Sequence, residues 1–154
     1  MDIQSLEIKA SIQIAKPSHE VFEAITDGEK MSNYFIEKST GNMEEGVTVT
    51  WKWPEFAEEA AIRVDQILKD QYISFYWPGE NDTELYVEIT LNTLGDSQTV
   101  VSVTEKGMHA DEAGLRWMKG NTEGWANFLA CLKAWLEYGI NLRKGAFDFR
   151  AKQA

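Results

Sequence analysis

The stretch "GWANFLACLKAWLEYG", Gly124–Gly139, decides how the chain is read. Trp125, Phe128, Leu129, Leu132, Trp135 and Leu136, with Ile140 just beyond, follow the i, i+3, i+4, i+7 spacing of one helical face. Asn127, Lys133 and Glu137 fall elsewhere around the cylinder. The proline-free run extends the helix to about Asp111–Leu142. Gly114, Gly120 and Gly124 each weaken it by about 1 kcal/mol relative to alanine. The first half is therefore expected to kink or fray, and the second half to be firm. Spacing alone leaves open whether the apolar stripe fills a core or forms a pocket wall.

Upstream, the pattern is that of strands. "LEIKASIQIA" alternates Leu6, Ile8, Ala10, Ile12 and Ile14 against polar residues, the period of a strand with one buried face. "KPSHEVFEAITDGEKMSNYF" then gives two short helices. Pro17 and Ser18 start the first, which carries Val21, Phe22 and Ile25 on one face. Asp27 caps the second, which carries Met31, Tyr34 and Phe35. "VTVTWKW" sets Val47, Val49, Trp51 and Trp53 on one face until Pro54 ends it. Ile62 and Val64 alternate in the next strand, and "DQYISFYWPG" is a strand with two apolar faces and no evident inward side. Leu85, Val87, Ile89 and Leu91 point inward before a turn at Gly95-Asp96, and Val101 and Val103 point inward after it. The order is strand, two helices, about six further strands and one long helix. That predicts an α+β fold: a curved antiparallel sheet of about six or seven strands whose apolar face is covered by the C-terminal helix.

The 154 residues form one domain, 1–154, with no repeat, linker or low-complexity tract. A net charge of −10 makes nucleic acid and anionic membranes poor partners. Arg143, Lys144, Arg150 and Lys152 form a small basic cluster, read as a complement to the helix dipole at its C-terminal end. Cys131 is the single cysteine, so no disulfide forms within the chain, and it reads as a packing residue. The N-terminus has the pattern of neither a signal peptide nor a membrane span, which makes the cytoplasm the default location.

The words "KPSHEVFEAITDGEKMSNYF", "ISFYW", "VSVTEKG" and "GWANFLACLKAWLEYG" cover most of the chain. In that order they resemble the helix-grip fold of the START-like superfamily, which includes the birch-pollen allergen, polyketide cyclases and lipid-transfer domains. Within it they resemble the family named after the homologue of the activator of the heat shock protein 90 ATPase. The resemblance implies a cavity between sheet and long helix. Trp125 and Phe128 would face its wide end, while Leu132, Trp135, Leu136 and Ile140 would close the narrow end as core. The residues proposed to line it are Trp51, Trp53, Phe75, Trp77, Tyr86, Glu105, Trp117, Asn121, Trp125 and Phe128. Large aromatics suit such a site, and they equally suit the plain filling of a core.

Glu105 is the sharpest single residue, because alternation with Val101 and Val103 turns it inward. A buried carboxylate needs a partner, and could serve as a polar anchor or as an acid of raised pKa. The favoured reading is plainer: a place at the strand end, in water or paired with a lysine or arginine. His19 is expected in solvent and His109 in the loop before the long helix. Neither has a neighbour at metal-ligand spacing. No nucleophile elbow, phosphate loop, dinucleotide fingerprint or Cys/His cluster occurs, so no metal, cofactor or catalytic residue is assigned.

Three functions remain. The first, adopted here as the expectation, is binding of a small hydrophobic or amphipathic molecule without chemistry, by a monomer or homodimer. The second is a cyclase- or hydratase-type enzyme, for which Glu105 with His109 or a tyrosine would be the acid–base pair. The third is a protein-interaction role in chaperone regulation, implied by the family name. The eukaryotic co-chaperone carries a separate N-terminal domain that contributes to activation, whereas this sequence opens directly on the START-like strand, which makes the chaperone partner a minor expectation.

Overall fold

The computed structural model describes residues 5–151. Strand β1 (Ser5–Ile14) is followed by helices α1 (Ser18–Thr26) and α2 (Gly28–Met31). Strands β2 (Lys38–Ser39), β3 (Thr48–Lys52), β4 (Glu59–Leu68), β5 (Tyr72–Pro78), β6 (Glu84–Thr93) and β7 (Thr99–His109) come next. The long helix α3 (Glu112–Tyr138) and a last turn, α4 (Asp148–Ala151), complete the chain. The strands form one antiparallel sheet in the order β1-β7-β6-β5-β4-β3-β2. The sheet is curved and open, and α3 covers its inner face. This is the α+β architecture that the alternation predicted.

The inner face follows the period-two pattern. Leu6, Ile8 and Ile14 of β1, Leu85, Val87, Ile89 and Leu91 of β6, and Val101 and Val103 of β7 are all buried. The ambiguous strand β5 resolves with Ile73, Phe75 and Trp77 inward, since Phe75 pairs with Val87 and Ile73 with Ile89. Val47 lies outside β3 and is exposed, so the inward row there is Val49, Trp51 and Trp53 only. In α1, Val21, Phe22, Ala24 and Ile25 form the buried face. The Asp27 carboxylate accepts from the backbone N–H of Glu29 and Lys30, capping α2.

Helix α3 runs without a break through its glycines, so its first half does not fray. The close approach of helix to sheet accounts for Gly114: a Cβ there would lie 1.9 Å from the His109 carbonyl oxygen. The helix ends earlier than its periodicity suggested. Gly139 adopts φ 66°, and its N–H closes the last turn on the carbonyls of Ala134 and Trp135. Ile140 therefore lies beyond the helix and is 53% exposed, so it closes no core. The basic cluster does not complement the end of α3, although its Arg150 lies in the last turn of α4. The last turn of α3 carries no basic residue, and Arg143 sits past the cap. Lys152 lies outside the described residues. Cys131 is buried among the core side chains, and burial pushes its thiol pKa up, which suits an inert packing role. Among the described residues no helix is long and apolar enough to cross a membrane.

Candidate functional site: an aromatic cleft backed by a buried carboxylate

Between α3 and the β3–β5 edge of the sheet, the aromatic side chains form a continuous cluster. Tyr34 stacks on Trp135 with ring centroids 5.7 Å apart, and its hydroxyl donates to the Ala24 carbonyl. Phe35 packs edge-on against Phe128 at 4.7 Å and against Trp53 at 5.5 Å. Trp51 meets Phe75 at 5.6 Å, and Trp77 meets Trp125 at 5.5 Å. Tilted and edge-to-face pairs of this kind add to the burial of each ring.

Leu129, Leu132 and Met31 are buried in the same core. Toward Trp53, Trp77 and Trp125 the cluster opens into a cleft of about 320 Å3. Tyr34 and Phe35 also border a second cleft of about 580 Å3 beside the segment after Gly139. Trp53, Trp77 and Trp125 give its indole walls, with Phe35, Phe56, Phe128 and Phe147 beside them. Gly124 leaves a bare patch on the helix wall: a Cβ there would meet nothing within 4 Å. Asn121, one turn earlier on α3, adds a side-chain amide, while Arg143 and Arg150 stand at the rim. The segment after Gly139 thus folds back across the cleft. Arg143 anchors it by donating to both oxygens of Glu55, at 3.1 and 2.7 Å.

Behind the cleft lies Glu105, fully buried in the interior of β7 between Ile8 of β1 and Val87 of β6. The favoured expectation of a strand-end residue in water is therefore corrected, and so is that of a basic partner. Its Oε1 accepts from Trp117 Nε1 at 2.9 Å and from Asn121 Nδ2 at 2.6 Å, and its Oε2 accepts from Trp77 Nε1 at 2.7 Å. All three partners are neutral N–H groups. Burial raises the Glu105 pKa, and the donations from Asn121, Trp77 and Trp117 only partly offset it. Glu105 thereby fixes two side chains of the cleft wall, Trp77 and Asn121, and braces the first half of α3 against the sheet.

The proposed lining residues divide into four groups. Trp53, Trp77, Asn121, Trp125 and Phe128 come together on the cleft. Glu105 and Trp117 stand behind it, and Trp51 and Phe75 are packed beneath it in the core. Tyr86 is on the opposite face of the sheet, so its place in the lining is a correction. It lies between the inward residues Leu85 and Val87, packs in a tilted pair with Tyr76 at 4.7 Å, and hydrogen-bonds with Tyr72. His109 is exposed at the end of β7, and the Glu105–His109 acid–base pair does not form. Among the described residues, no group of three or more His, Cys, Asp or Glu side chains could hold a metal ion.

Sequence reasoning missed Phe35, Gly124, Arg143, Phe147 and Arg150 as lining residues. Gly124 carried the one usable signal, a glycine on an otherwise bulky helix face. The arginines gave none, because the partner of Arg143 is 88 residues away.

Among curated proteins none matches this sequence. Solved structures do. The protein SSP2350 of Staphylococcus saprophyticus is 27% identical, with a TM-score of 0.73 over 90% of this chain and 96% of its own. The Aha1 dimer of Colwellia psychrerythraea is 21% identical, with a TM-score of 0.73 over 87% of this chain and 98% of its own. DynU16, from the dynemicin biosynthetic locus, is 21% identical, with a TM-score of 0.77 over 88% of this chain and 48% of its own. A family model described as activator of Hsp90 ATPase homolog 1-like protein matches residues 15–137, from the end of β1 almost to the end of α3. The chain belongs to that family.

Proposed function

We propose that this protein binds a small hydrophobic or amphipathic molecule in the cleft between α3, the β3–β5 edge and the C-terminal segment. One observation carries this reading: three indoles, those of Trp53, Trp77 and Trp125, face about 320 Å3 of open space. That volume is at the small end of ligand sites, so the ligand is compact or enters in part. Glu105 serves as a positioning residue, holding Trp77 and Asn121 toward the ligand. DynU16, from the dynemicin biosynthetic locus, shares the fold, which makes natural-product-like molecules a class to include in the test.

The test is a thermal-shift and tryptophan-fluorescence titration with fatty acids, flavonoids, sterols and fused-ring aromatics. Gly124→Leu is the blocking variant, because a side chain there enters open space in the cleft. A ligand at a hundredfold excess over its Kd stabilises the fold by about 2.7 kcal/mol. In a domain of this size that raises Tm by roughly 5–10 °C. The reading predicts such a shift for one class and its loss in Gly124→Leu. A shift that survives Gly124→Leu unchanged contradicts it.

A further inference from the structure

We infer that the ligand of this cleft carries an anionic group, a carboxylate or its like, on a flat apolar body, with Arg150 receiving the anion at the rim. This rests on the binding role proposed above and names the chemical class of its ligand.

The two ends of the cleft differ in charge. Its inner wall is indole and phenyl, with the neutral amide of Asn121. The buried carboxylate behind that wall does not line the cleft, and its two oxygens are occupied by three N–H donors. Both charged residues that line the cleft are arginines. Arg143 is committed to Glu55 by two hydrogen bonds. Arg150 is not so committed. Among the described residues no carboxylate lies within salt-bridge distance of it. Its guanidinium lies instead over the Phe147 ring, 4.2 Å from the centroid. A guanidinium stacked on a ring keeps its edge N–H groups free, and that planar edge matches a carboxylate in two parallel hydrogen bonds.

A cationic ligand is the natural competitor, because three indole faces attract cations and the chain carries a net charge of −10. Two observations weigh against it. The acidic residues that produce the net charge do not line the cleft, and their distant field is screened beyond about 8 Å at physiological ionic strength. A cation seated among the rings would also lie beside two arginines.

The experiment uses three probes with one body: 2-naphthoate, 2-naphthylmethanol and 2-naphthylmethyl-trimethylammonium. Each is titrated calorimetrically into the wild-type chain and into Arg150→Gln, with circular dichroism to establish that the variant is folded. Naphthoate is expected to bind roughly five- to tenfold more tightly than the alcohol, and the ammonium most weakly. In Arg150→Gln the preference for naphthoate should vanish while affinity for the alcohol is kept. Equal binding of naphthoate and alcohol to the wild type overturns the anionic class and leaves the cleft reading standing. So does tightest binding of the ammonium, or an equal loss of all three probes in Arg150→Gln. Binding of none of the three overturns both.

Discussion

Among the described residues two carboxylates are taken out of water, and they are held in opposite ways. Glu55 lies in the turn after β3, its side chain 1% exposed, and meets a full positive charge on Arg143. Glu105 lies in the interior of β7, one strand in from the sheet edge, and meets only neutral N–H groups. Burial pushes both pKa values up. At Glu55 the hydrogen bonds and charge of Arg143, together with a backbone hydrogen bond and the charge of Arg150, more than cancel that push, and the group ends below the ordinary range. At Glu105 the neutral donors offset it only in part, and the group ends above. Burial alone thus does not set the ionisation of a buried acid; the charge of its partners decides the sign. The two sites also divide the labour around the cleft. Glu105 fixes the inner wall through Trp77 and Asn121, and Glu55 ties down the rim through Arg143.

The sharpest way to break the comparison is Glu105→Leu. It keeps an apolar side chain in place but leaves Trp117 Nε1 a buried donor without its acceptor, and frees Trp77 and Asn121. A loss of about 3 kcal/mol is expected in chemical denaturation. Next comes Arg143→Met, which strands the Glu55 carboxylate. The expected loss is about 2 kcal/mol, below that of a deeply buried pair, because a turn can rotate its carboxylate into water. The rim segment should also become sensitive to limited proteolysis after Gly139.

A pH series sharpens the contrast in sign. The folded pKa of Glu55 is depressed, so its contribution is present above the ordinary glutamate value and is lost as pH falls through the folded pKa. The folded pKa of Glu105 is raised, so its contribution is fully present below the ordinary glutamate value and is lost as pH rises through the folded pKa. Thermal unfolding between about pH 3 and pH 8 reads both. Glu55→Gln should flatten the acid side of the profile and Glu105→Leu the side above it. The same step lost in both variants would refute the assignment. The smallest effect is a gain: Gly124→Ala should stabilise α3 by up to about 1 kcal/mol, since the added methyl meets no neighbour. Destabilisation there would mean that the bare patch is tightly packed.

Alternation along β1, β6 and β7 and the 3.6-residue stripe of α3 made the architecture legible, because local spacing is what those elements obey. The inward turn of Glu105 was readable by the same alternation. Its partners were not, since Trp117 and Asn121 reach it only once α3 docks on β7. The misplacement of Tyr86 came from weighing residue type over position: with Leu85 and Val87 inward, it had to face the other side. The end of α3 was overrun because Ile140 fits the stripe, while the left-handed Gly139 that stops the helix interrupts no apolar spacing. The rim was illegible. Neither Arg143 nor Arg150 carries a pattern, and what makes them part of the cleft is the return of the chain after Gly139.

The most direct test of the account is a two-dimensional amide spectrum of the indole N–H signals during titration with 2-naphthylmethanol. The six tryptophans supply the signals, and single Trp→Phe variants assign them. The cleft account predicts the largest shifts at Trp53, Trp77 and Trp125, with Trp135, which does not line the cleft, unmoved. Saturable shifts centred on Trp135, or no saturable shift at any indole, would contradict it.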